Sequence, residues 1–196
     1  MRIVEKDLSL KDGRTKAKIG IFTYNDSRDI LDLVNLYKSW RKCSELCLEL
    51  GGSKLVLPES LYLGAFCHFK EVGWLVSCTG NVKRSFDCVD YKTTKDGYNT
   101  RIRVKASSVK KDLTTLEPND IWDEFYFCDF SRLDGTFDVY LIPNEVLYNY
   151  KVNSVQTVQD QQRQGRIPRV GLNSLCKANN ISPLHTFDFN TITQGE

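Results

Sequence analysis

Arg101-Ile102-Arg103-Val104-Lys105-Ala106-Ser107 is the stretch on which the reading of this chain turns. Side chains of an extended strand point alternately to its two faces, so Ile102, Val104 and Ala106 share one face and Arg103, Lys105 and Ser107 the other. Upstream, Ser85-Phe86-Asp87-Cys88-Val89-Asp90 alternates in the same way, with Phe86 and Cys88 on one side and Asp87 on the other. A turn around Lys95-Asp96-Gly97 separates the two segments. Paired as a hairpin through that turn, they project Asp87 and Lys105 from the same face.

Strands are also expected at 74–79, before Gly80-Asn81, and at 125–130 and 137–142, joined across Asp134-Gly135 as a hairpin. A short strand is expected at 17–23. The segment 27–50 reads as an amphipathic helix: Ile30, Leu33, Val34, Tyr37 and Trp40 form one stripe, Ser27 is its N-cap, and Gly51-Gly52 ends it. A second helix starts at Pro58-Glu59 and runs to about His68. Three short helices follow, at 144–150, at 157–164 with Thr157 as cap and Gly165 as stop, and at 172–179. Helix first, then a central sheet, then helices predicts an α/β (α+β) fold in one domain over residues 1–196, without repeats or a linker.

The bulk properties bound the function. The chain has 196 residues, 41% of them hydrophobic, and a mean hydropathy of −0.38. This describes an ordinary globular protein long enough to bury a core. No apolar run approaches the roughly 20 residues of a membrane span. The first residues, MRIVEKDLSLKDGR, carry charges where a secretory leader has an apolar stretch, so a cytoplasmic protein is expected. Seven cysteines is an odd number with no CxxC pair, which reads as reduced thiols. Only His68 and His185 could join those sulfurs, and the spacing fits no zinc finger. No GxSxG and no P-loop is present. The net charge of +2 is small, but residues 101–111 hold five basic residues and no acid, and residues 161–169 three arginines and no acid. Local basic patches on a nearly neutral chain suit a protein that grips phosphate on one face.

An aspartate and a lysine on adjacent antiparallel strands have a chemical use. Phosphodiester hydrolysis employs a divalent cation held by carboxylate oxygens, together with an ammonium group beside the scissile phosphate. The spacing of Asp87 and Lys105, with a hydrophobic residue before the lysine and Ala-Ser after it, resembles the PD-(D/E)xK type II restriction endonucleases. Among these it looks most like the small enzymes that cut the interrupted site GCNGC. The Pro58-Glu59 helix start, the run Trp122-Asp123-Glu124-Phe125-Tyr126-Phe127-Cys128-Asp129-Phe130, and Gln161-Gln162-Arg163-Gln164-Gly165-Arg166-Ile167-Pro168-Arg169 add to the likeness, which covers roughly residues 40–185. The resemblance implies a restriction-endonuclease-like mixed central sheet flanked by helices, and Mg2+ as cofactor, with Mn2+ not excluded. It also implies double-stranded DNA as substrate, a homodimer, and a helical DNA-contacting part at about 144–185. Asp87, Lys105 and Glu59 are the implied catalytic residues, and Asp87, Glu59 and Val104 the implied metal ligands.

The departure is Arg103, where the family carries Asp, Glu or sometimes Gln; a guanidinium cannot ligate a metal. Glu59 is the first candidate replacement and Glu49 the second, while Asp90 is expected to shape a turn. For DNA, arginine can read guanine and glutamine adenine with two-pronged contacts. Arg163, Arg166, Arg169, Gln161, Gln162 and Gln164 therefore form a candidate groove-reading element, with the alternative of a polar surface helix and an extended Arg-Ile-Pro-Arg loop. Lys110 and Lys111 are expected to meet phosphates. The rival functions are a DNA-binding protein of the same fold that has lost its chemistry through Arg103, and a nuclease of repair or junction resolution.

Overall fold

The computed structural model describes residues 2–10, 16–23, 27–78, 85–95, 98–118 and 120–191. Its elements run β1 (Arg2–Ser9), β2 (Lys16–Thr23), α1 (Ser27–Glu49), α2 (Glu59–Lys70), β3 (Gly73–Cys78), β4 (Cys88–Lys95) and β5 (Tyr98–Ser107). They continue as β6 (Thr114–Thr115), β7 (Glu124–Asp129), β8 (Thr136–Ile142), α3 (Asn144–Asn149), α4 (Val158–Arg163), β9 (Arg169–Val170), α5 (Leu172–Ala178) and β10 (His185–Asp188). One eight-stranded sheet has the order β1-β2-β3-β4-β5-β7-β8-β10. Within it β5 and β7 are parallel and the other described pairs antiparallel. The expected mixed sheet flanked by helices is present.

Central strands are buried on both faces, and alternation sends successive side chains into different cores. On β7, Tyr126 and Cys128 join α1 and α2 in one cluster with Ile102 and Val104 of β5. Phe125 and Phe127 face the opposite way, into a second cluster with Trp122, Leu147 of α3, Val158 of α4, and Leu172 and Leu175 of α5. The stripe foreseen on α1 is real: Leu33, Val34, Tyr37 and Trp40 are buried. Pro58 precedes α2 in an extended conformation, and Glu71 closes it in the left-handed region. Thr157 and Asp160 cap α4 reciprocally. The Asp134-Gly135 turn also forms: Gly135 has φ +94°, and a Cβ there would lie 2.3 Å from the Asn190 amide. Only glycine fits both constraints.

Four strands, β1, β6, β9 and β10, were not anticipated, because each is defined by its partner rather than by its own pattern. The strand read from Ser85 onward begins later, at Cys88, and continues to Lys95. Asp87 thus lies just before β4, bonded to the strands on both sides: its N–H donates to Ile102 O of β5 and its carbonyl accepts from Leu75 N of β3. Gly80-Asn81, Asp96-Gly97 and the side chain of Ser27 fall outside the described residues. No described helix is long and apolar enough to cross a membrane.

Candidate active site

β4 and β5 pair with Cys88 opposite Ile102. That register sets Asp87 beside Arg103, and the two side chains meet: Arg103 donates to Asp87 Oδ1 at 3.1 Å. The other carboxylate oxygen accepts from the N–H of Val104 at 2.7 Å. The main-chain ladder runs out at this position, and Asp87 itself becomes the acceptor for a β5 amide, which pins its carboxylate to the strand that carries Lys105. Burial raises the Asp87 pKa above the usual aspartate range, opposed by Arg103, the Val104 N–H and Lys105. Lys105 is shifted the other way, lowered by burial and then by the Arg103 charge, with Asp87 and Asp120 acting against this. Asp87 and Lys105 lie within electrostatic range of each other, while the direct partners of Asp87 are Arg103 and the Val104 N–H. Among the described residues no carboxylate lies within ion-pair distance of Lys105.

A second acid, Asp120, was missed in the sequence. Its Oδ2 lies 3.2 Å from the other terminal nitrogen of Arg103, and its side chain is 6% exposed. Parallel strands need a crossover that returns to the start of the first strand. Here that crossover brings the residues just before β7 alongside β5, with Asp123 N donating to Arg101 O. Asp123 then holds Arg101 by a two-pronged pair, Nε to Oδ2 and NH2 to Oδ1, both 2.9 Å. The basic run 101–111 is thereby corrected: Arg101 and Arg103 are occupied by internal acids, while Lys105, Lys110 and Lys111 have no ion-pair partner among the described residues. No periodicity could have flagged Asp120, because its neighbourhood is set by the crossover.

Glu59 and Lys105 line one groove of about 750 Å3, together with Lys54, Tyr62, Ser108, Lys111, Thr114 and Thr115. One wall is the loop 51–58, tied to α1 by Trp40 Nε1 donating to Val56 O at 3.0 Å and Leu55 N to Ser44 Oγ at 3.2 Å. Lys54 Nζ crosses to Ser108 O on the other wall at 2.8 Å. Tyr62 follows Glu59 by one helical turn, and burial, then Asp87, then Glu59 push its phenol pKa up. Glu59 is exposed at the groove, with no direct bond to Asp87 among the described residues. Glu49 ends α1, exposed, and is not among the groups acting most strongly on Asp87 or Lys105. Asp90 accepts from Lys92 N at 2.9 Å, a local chain-shaping bond. The Val104 side chain is buried, so only its carbonyl oxygen could ligate a cation.

Among the described residues no three Asp, Glu, His or Cys side chains form a ready cage for a metal ion. A hard cation such as Mg2+ does not need one: it keeps several waters and takes one or two carboxylates plus substrate phosphate. Asp87 and the unbonded, buried Asp120 Oδ2 are oxygen donors of that kind, and Glu59 is a third at the groove. The donor chemistry fits a hard divalent cation.

Arg163, Arg166 and Arg169 are exposed, and none has an ion-pair partner among the described residues. Arg169 pairs with Thr115, and so sits beside the groove. The glutamines are more engaged: Gln161 and Gln164 both bond Gln156, and Gln162 donates to Glu117 O. Lys110 and Lys111 are exposed, and only Lys111 of the two lines the groove.

The family model described as Bsp6I restriction endonuclease matches residues 25–177, which include both strands of the site and the arginine-rich segment. The type II restriction enzyme Bsp6I of Bacillus sp. (strain RFL6) is 32% identical over 89 residues, 44% of this chain and 51% of that protein. The chain thus spans about half the length of this curated relative. No solved structure matches. With most of its length under the family model, the chain belongs to the Bsp6I restriction endonuclease family.

Proposed function

We propose that this chain is a Mg2+-dependent, site-specific endodeoxyribonuclease that cuts double-stranded DNA as a homodimer in the cytoplasm. The observation that carries the reading is that the Asp87 carboxylate is fastened to β5 by Arg103 and the Val104 N–H, beside the residue that carries the Lys105 ammonium. Asp87, with Asp120 and Glu59 as the neighbouring acids, holds the cation. When bound, Mg2+ supplies Lewis acidity toward the scissile phosphate and an attacking water. Lys105, half-dehydrated and without a fixed carboxylate, stabilises negative charge that develops on the phosphate. Water adds to phosphorus and the P–O3′ bond breaks. Two active sites related by a two-fold axis cut the two strands of a symmetric target.

The test is incubation of a plasmid rich in GCNGC sites with the protein and Mg2+, with EDTA as control. Discrete, metal-dependent fragments are expected; uncut plasmid removes the proposal. Arg103 in the usual acid position favours one other reading, a non-cutting DNA-binding protein, which binds with steep salt dependence and leaves the plasmid intact.

Two further results are expected. The active form has Asp87 and Lys105 both charged. Rate is therefore lost as pH falls through the raised Asp87 pKa and as pH rises through the lowered Lys105 pKa, so both limbs lie inside the ordinary ranges. Lys105→Arg should move the alkaline limb outward, and an unmoved limb detaches it from position 105. Separately, replacing Arg163, Arg166 and Arg169 together by alanine should weaken binding and flatten the slope of log affinity against log salt by up to about 3, at roughly 0.9 per phosphate contact. An unchanged slope takes those arginines off the phosphates.

A further inference from the structure

We propose that Asp120 is the second acid of the active site and that Arg103 is its resting counter-ion, a guanidinium held between Asp87 and Asp120 until a divalent cation displaces it. The inference rests on the nuclease reading and answers what replaces the acid missing at position 103.

Two arginines on β5, two residues apart, are held in opposite ways. Arg101 is saturated: Nε, NH2 and its main-chain N–H all donate to Asp123, at 2.8 to 2.9 Å. Arg103 is not. One terminal nitrogen bonds Asp87 Oδ1, and the other lies 3.2 Å from Asp120 Oδ2 without hydrogen-bond alignment. Its Nε is buried with no partner, and so is Asp120 Oδ2 among the described residues. Leaving such groups buried and unbonded costs stability. A fixed structural ion pair is built like Arg101 with Asp123; Arg103 attracts both acids and satisfies neither side fully.

Asp120 is nine-tenths buried, aims a free oxygen at the guanidinium, and enters from the crossover opposite Asp87. Two carboxylates on either side of a single positive group present the donor chemistry of a hard cation, and a divalent ion draws both more strongly than one guanidinium.

The probe is Mn2+, followed by the loss of its free electron paramagnetic resonance signal, with no DNA present. Wild type should bind Mn2+, and Asp120→Asn should weaken binding by at least about tenfold. Arg103→Met should tighten it by about tenfold, since a competing positive charge is removed. Unchanged affinity in Asp120→Asn, or weaker binding in Arg103→Met, overturns the proposal. Arg103→Met leaves two buried acids facing each other, so its melting temperature is a second readout. Mn2+ should raise it more than that of wild type, and an equal or smaller rise also overturns the proposal. Plasmid cleavage by wild type is run in parallel. Cutting with an unaffected Asp120→Asn Mn2+ affinity removes Asp120 and keeps the nuclease reading; no cutting removes the nuclease reading, and the Mn2+ pattern still decides the cation site.

Discussion

Asp87→Asn is expected to lower the cleavage rate by about a thousandfold or more, the scale of losing a principal electrostatic group at a reacting phosphate. The substitution preserves shape, and the amide oxygen can still accept from Val104 N–H, where the carboxylate now does so at 2.7 Å. The fold should therefore survive. What disappears is the negative charge that offsets Arg103 and that is proposed to hold the cation. Single-turnover cleavage measures the loss, while metal-free mobility shift should show DNA affinity within a few-fold of wild type or slightly tighter, since one anion facing the phosphate has gone. Cleavage within about tenfold of wild type, at unchanged folding, removes Asp87 from the chemistry.

Phe137→Ala is the second large effect, on stability. Phe137 is fully buried on β8. It stacks on Phe130 at 4.3 Å and Phe187 at 5.0 Å between ring centres, and meets Phe189 at 5.6 Å. Phe189 stacks in turn on Tyr37 of α1 at 4.8 Å, and the Tyr37 hydroxyl accepts from Gly135 N–H at 3.1 Å. One ring thus ties the far edge of the sheet to the first helix. Truncation removes its transfer free energy and leaves a cavity among aromatic rings too rigid to collapse, at a cost of about 3–5 kcal/mol. For a chain of this length that lowers the melting temperature by roughly 6–20 °C. A urea midpoint unchanged at constant slope would show that Phe130 and Phe187 close the gap.

The local pattern of the chain determined a good deal. Alternation in 101–107 and 125–130, the apolar stripe at Leu33, Val34, Tyr37 and Trp40, the Asp134-Gly135 turn and the Thr157 cap are short-range signals. Each was legible because backbone geometry dictates it within a few residues. The pairing of Asp87 with the β5 segment was legible for the same reason, as a hairpin is a local structure. The family resemblance rested on those same segments.

Tertiary structure alone decided the rest. That Arg103 meets two acids follows from the sheet register on one side and a parallel crossover on the other, and Asp120 reaches it only because β7 must return to the start of β5. Strands β6 and β9 are two residues each and exist only as partners of one another. Which cations stay unpaired was equally hidden: Arg101, Arg103 and Lys105 alternate with apolar residues on one strand, yet two are paired with acids distant in sequence and, among the described residues, the third is not. Charge along a chain is a local property; charge left uncompensated at a surface depends on every element folded against it.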